Sequence, residues 1–108
     1  MRGTLLVAAL GLSLSGCESP GDKADLSTFT PAGAGAWRYE ARAADLQYPL
    51  DDPASEAARL RWLQEDVIAN RACPPNGAYR VVSRTPVLQH TTLIGVEIWK
   101  VVYDVECS

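Results

Sequence analysis

One uninterrupted stretch dominates this sequence. Ala54 to Ala72 contains neither glycine nor proline and follows directly on Asp52-Pro53. That junction is a helix start: an aspartate side chain accepts from orphan N–H groups, and proline in the first turn has no N–H to satisfy. Glu56 then lies near the positive end of the helix dipole. Ala57, Leu60, Leu63, Val67 and Ile68 recur at helical spacing and, at about 100° per residue, fall within an arc of about 140°. A helix with such a stripe must pack on another layer. Cys73-Pro74-Pro75 ends it, and Pro75-Asn76-Gly77 supplies a turn.

The layer is legible as strands. Trp37, Tyr39 and Ala41 alternate with Arg38, Glu40 and Arg42, the period of a half-buried strand. Tyr48-Pro49 and Asp51-Asp52-Pro53 mark a loop between this strand and the helix. Ala78 to Gln89 and Leu93 to Glu106 are rich in Val, Ile, Thr, Tyr and Trp, with His90-Thr91-Thr92 as a hairpin connection. In the last run Ile94, Val96 and Ile98 share one parity and Trp99, Val101, Tyr103, Val105 and Cys107 the other. A bulge near Ile98 to Lys100, or partial cover on both faces, is therefore expected. The predicted fold is α+β: an antiparallel sheet of about three strands with one helix packed across it, in the order strand, helix, strand, strand. It occupies residues 37–108 as a single domain, since 108 residues do not divide into two independent cores.

Residues 1–16 carry one cation, Arg2, and an apolar run from Leu5 to Leu14, the layout of a signal peptide. The run is about half of the 20 or so residues that a membrane-spanning helix needs. Leu14-Ser15-Gly16-Cys17 resembles the lipobox of bacterial lipoproteins, an aliphatic residue and two small ones before cysteine. The resemblance implies diacylglyceryl attachment to the Cys17 thiol, cleavage after Gly16 and acylation of the new amino group. Two or more acyl chains anchor a protein stably, whereas one binds reversibly. Removing 16 of the 108 residues leaves 92. Glu18, where enteric inner-membrane lipoproteins carry Asp, implies the outer membrane with the domain facing the periplasm. Residues 18–36, rich in Gly, Ala, Ser and Pro, are expected to form a flexible tether spanning roughly 24 Å.

With Cys17 lipidated, Cys73 and Cys107 remain as a pair in an oxidising compartment, where a disulfide is the default. It would staple the helix end to the last strand. A redox-active pair or a metal site is the sharper alternative, but there is no Cys-x-x-Cys, and one distant histidine with two cysteines makes a poor zinc set.

Nothing in the sequence nominates catalysis or a cofactor. His90, the only histidine, is expected in an exposed hairpin tip without a neighbouring acid. Gly33-Ala34-Gly35 lacks the flanking strand and helix of a phosphate loop. Asp51-Asp52 is explained by capping, and Glu97, Asp104 and Glu106 read as the solvated side of a strand. Trp62 lies about 200° from Leu60 around the helix. It is either a partner-binding aromatic or the floor of a contact with the first strand or the Leu46–Leu50 loop. Arg59, Arg61, Arg71, Arg80 and Arg84 either balance Glu65 and Asp66 locally or form a basic patch for lipid or peptidoglycan.

Ten cations against 13 anions, a net charge of −3, give no basic surface for nucleic acid. The reading is a non-catalytic, membrane-anchored envelope lipoprotein that binds another envelope protein or peptidoglycan, or supports an assembly. An inhibitor or immunity lipoprotein acting on a lysozyme or toxin is the alternative, favoured by a protruding loop that carries His90 or Asp51-Asp52. An envelope hydrolase would need a deep polar pocket joining His90 to a carboxylate.

Overall fold

A computed structural model describes residues 21–108; the signal-peptide and lipobox expectations on residues 1–17 lie outside the described residues. The elements run α1 (Asp22–Leu26), β1 (Ser27–Gly33), β2 (Ala36–Ala44), α2 (Pro53–Ala69), β3 (Tyr79–Thr91) and β4 (Glu97–Cys107). The four strands form one antiparallel sheet in the order β1-β2-β4-β3. The class is α+β as expected, with one strand and one short helix more than the sequence implied.

The extra strand corrects the expected tether. Ser27 to Gly33 pairs with Ala36 to Ala41, placing Phe29 opposite Tyr39. Phe29 also stacks on Trp37, with ring centroids 4.6 Å apart. Gly33 is opposite Ala36, so Ala34-Gly35 is a tight hairpin turn, with Gly35 at φ +67° where other residues are strained. The Gly35 carbonyl accepts from the Cys107 N–H at 2.9 Å, which joins this turn to the end of β4. Pro31 sits on the outer strand, where a missing donor costs the ladder least.

The helix starts as predicted. Asp52 accepts from the Ser55 N–H at 2.9 Å and from its hydroxyl at 2.6 Å, and these bonds hold the Asp52 carboxyl below its usual range. It ends after Asn70, where Arg71 N–H bonds Ile68 O at 3.2 Å and Ala72 N–H bonds Val67 O at 3.0 Å. That is a Schellman closure, and it puts Arg71 at φ +51°, a position glycine usually takes.

The helix is rotated from its expected orientation. Its buried face is Ser55, Ala58, Arg59, Trp62, Leu63 and Val67, while Leu60 and Ile68 are 39% and 63% exposed. Against it the sheet presents Tyr39, Ala41 and Ala43 from β2 and Val101, Tyr103 and Val105 from β4. Tyr39 and Tyr103 are directly paired, with centroids 5.7 Å apart. The Tyr39 hydroxyl is buried without a hydrogen-bond partner among the described residues, and burial pushes its pKa well up.

The bulge expected near Ile98 to Lys100 is absent from β4, and Ile94 and Val96 lie in the connection before that strand, so their parity is not tied to its faces; the bulges are on β3. Between Val81 and Ser83, and again between Leu88 and His90, β3 carries one residue more than its partner. The second bulge, at Gln89, stands opposite the Trp99–Ile98 step, while β4 pairs with β2 without a shift. The connection is Thr92 to Val96, not His90 to Thr92: Thr92 N–H bonds Val96 O at 2.8 Å, and Gly95 turns the chain at φ +90°. His90 is thus in strand β3, opposite Ile98.

Cys73 and Cys107 are disulfide-bonded, with Cα atoms 5.3 Å apart and a sequence separation of 34. Closing that loop contributes roughly 3.8 kcal/mol on the chain-entropy estimate. Alkylation of the folded protein without reductant is expected to label neither thiol. Replacing both with alanine should lower unfolding free energy by about 3 to 4 kcal/mol, measured by urea denaturation; an unchanged midpoint contradicts the assignment.

Candidate functional site

The face of the sheet opposite α2 carries charged side chains in an ordered pattern of cross-strand pairs. Arg38 on β2 bonds Asp104 on β4 through Nε at 3.2 Å, and Ser83 on β3 donates to the same carboxylate at 2.8 Å. These two bonds hold the Asp104 carboxyl below its usual range. Lys100 pairs with Glu40 at 3.3 Å and Arg80 with Glu106 at 3.0 Å. Each pair joins directly or diagonally opposed residues of neighbouring strands, the arrangement that stabilises a sheet face. The expectation of a solvated strand face thus fits Asp104 and Glu106. Glu97 lies on the other parity and accepts from Trp99 Nε1 at 3.1 Å.

At one end of this face a groove of about 350 Å³ opens between α1 and the β3–β4 hairpin, its lining including Asp25, Glu40, Arg42, His90, Ile98 and Lys100. The His90 side chain makes no hydrogen bond or ion pair among the described residues. The described residues contain no cluster of three or more His, Cys, Asp or Glu side chains positioned to hold a metal. None of their helices is long and apolar enough to cross a membrane.

The other side of the molecule holds a polar network that hydropathy does not reveal. Arg59, expected among the surface arginines, is fully buried. Its Nη1 donates to the Tyr48 carbonyl at 2.9 Å, and its Nη2 to the carbonyls of Pro49 and Leu50, each at 3.3 Å. Glu56 Oε1 accepts from Arg59 Nη2 at 3.1 Å. The same carboxylate accepts from Arg84 Nε and Nη2, both at 3.1 Å, and from the Tyr103 hydroxyl at 2.9 Å. Burial alone would raise the Glu56 pKa; hydrogen bonds from Arg84, Tyr103 and Arg59 outweigh it and hold the carboxyl below its ordinary value. Burial and the Glu56 carboxylate both push the Tyr103 phenol up.

Trp62 is 1% exposed, which removes it as a docking aromatic. The Leu46–Leu50 loop covers it: the Tyr48 ring meets the indole edge-on at 5.0 Å. Tyr48 holds φ +54°, and its hydroxyl donates to Asp22 at 2.6 Å. Arg59, Arg80 and Arg84 do not balance Glu65 and Asp66 as expected. Those two carboxylates take Lys23, at 3.5 and 3.0 Å, while Arg59 and Arg84 share Glu56 and Arg80 takes Glu106.

No protein family, curated protein or solved structure matches the chain.

Replacing Arg59 with methionine strands three loop carbonyls and a carboxylate, and the expected loss is about 3 to 5 kcal/mol. Glu56→Gln tests the carboxylate by pH. A depressed carboxyl stabilises the fold above its unfolded value of 4.5 and ceases to do so as pH falls through the lower folded value. The stability gap between the natural protein and Glu56→Gln should be largest near neutral pH and shrink below about pH 4.5. A gap that stays constant from pH 7 to pH 3 contradicts the network.

Proposed function

We propose that this protein is a lipid-anchored component of the bacterial envelope whose small domain binds a macromolecular partner through the open face of its sheet. The observation that carries the reading is the Leu14-Ser15-Gly16-Cys17 box ending five residues before α1. A chain processed at Cys17 would present the domain directly at a membrane surface, facing the periplasm, with the outer membrane favoured by Glu18. The open face supports a binding role, because it is broad, carries paired charges of both signs and leaves Arg42 exposed beside Ile98 and Lys100. Such a surface suits a protein or peptidoglycan partner recognised by charge pattern.

The inhibitor reading gains less support. Asp52 is engaged as a helix cap and His90 lies within β3, so neither crowns a protruding loop. For a hydrolase, His90 shares its groove with Asp25 and Glu40 but its side chain bonds neither, and Glu40 is paired with Lys100.

Mass spectrometry of the N-terminal peptide from the membrane fraction tests the anchor. The expected peptide begins at Cys17 and carries a diacylglyceryl group; an unmodified Cys17 in the membrane-purified protein ends the lipoprotein reading. Crosslinking in native envelopes tests the face. The natural protein should yield a defined adduct that Arg42→Glu with Lys100→Glu loses, and an adduct unaffected by that pair of changes moves the partner elsewhere.

A further inference from the structure

The largest exposed aliphatic side chains gather at one end of the domain. Leu93 is 107% exposed, and Leu46 and Ile94 are each 84% exposed, whereas Ile68, the next in rank, reaches 63%. Leu93 and Ile94 form the tip between β3 and β4, and Leu46 follows the end of β2. Antiparallel pairing puts these together: Ala44, the last residue of β2, is opposite Ile98 at the start of β4. A bond from the Glu97 N–H to Asp45 at 3.3 Å ties the two loops to one another.

The chain enters the fold from the same end. Ser27, the first residue of β1, is opposite Ala41 near the end of β2, and α1 precedes it. Tyr48, two residues after Leu46, bonds Asp22 at 2.6 Å, so the entry point is fastened to the loop that carries Leu46. Asp22 is five residues after Cys17, a covalent reach of at most about 18 Å. A lipid on Cys17 therefore cannot stand far from this end. The disulfide and the Pro74–Gly77 turn lie at the opposite end, where β4 finishes.

We infer that Leu46, Leu93 and Ile94 form a membrane-docking tip that enters the headgroup–acyl boundary of the bilayer holding the Cys17 lipid. This rests on the lipoprotein reading. Both charge signs flank the tip, Asp45 and Glu97 with Arg42 and Lys100, so apolar insertion rather than attraction to anionic lipid carries the contact. The anchor makes the contact intramolecular, which raises the effective concentration of three side chains too few to hold a free domain on a membrane. Docked in this way, the domain turns its disulfide end away from the membrane and leaves the open face of the sheet standing across the surface, accessible from the side.

The full protein, processed in its own envelope and purified with its native N-terminus, is reconstituted into phosphatidylcholine nanodiscs containing a nitroxide-labelled lipid. Paramagnetic broadening of backbone amides is then read by NMR. Amides of Leu46 and of Leu93 to Gly95 should broaden several-fold more than those of Asn76 and Gly77. Leu93→Ser with Ile94→Ser should remove that difference while leaving the core amide shifts unchanged. Equal broadening at both ends, or a concentration-dependent dimer of the anchor-free protein that the serine variant abolishes, overturns the inference. A protein that fails to enter nanodiscs overturns the lipoprotein reading and this inference with it; one that enters without the difference overturns this inference alone.

Discussion

A fully buried guanidinium holds the layers of this domain together. Arg59 is taken wholly out of water, which costs several kcal/mol unless the charge is paired and its donors satisfied. Both conditions are met, by Glu56 one turn earlier and by three successive carbonyls of the Tyr48–Leu50 loop. The consequence is long-ranged. The bonds fix a loop that would otherwise be free to move, the fixed loop lays Tyr48 over Trp62, and the Tyr48 hydroxyl fastens Asp22. Glu56 extends the same network to Tyr103 on β4 and Arg84 on β3. Two residues three apart on one helix thus engage the loop, one central strand and one edge strand, and through the loop the first residue of α1.

The disulfide acts where this network does not reach. Arg59 and Glu56 lie in the first half of α2, and Cys73 follows its end. A helix pinned at one end by hydrogen bonds and at the other by a covalent staple cannot slide over the sheet. That rigidity supports a domain of this size, whose core alone contributes little margin. The outer strands are also guarded. β3 carries two bulges and Pro86, and β1 carries Pro31, devices that blunt edge-to-edge pairing.

Local chemistry was legible in the sequence and non-local chemistry was not. The Asp52 cap, the helix it starts, the alternating strand at Trp37 and the cysteine pair each follow from neighbouring residues or from compartment chemistry, and each is present. The rotation of the helix was not legible, because hydropathy counts Leu60 and Ile68 inward and Arg59 outward. Only the loop carbonyls, about ten residues upstream, make burial of that arginine favourable. The exposure of Trp62 was undecidable for the same reason, since its cover arrives from Tyr48. Residues 27–33 resembled a spacer because their strand character comes from pairing with β2, with Phe29 as the single large apolar residue in STFTPAG. Of the candidate site, the alternating acids on β4 were readable. Their partners on β2 and β3 depended on register, and β3 shifts its register twice.

The buried guanidinium is tested most directly by solvent exchange at the Arg59 side chain, followed by NMR of its Nε–H. The network predicts a resolved Arg59 signal that exchanges orders of magnitude more slowly than that of exposed Arg42 at the same pH, with cross-relaxation to the Tyr103 ring. An Arg59 Nε–H that exchanges as fast as Arg42 would contradict it.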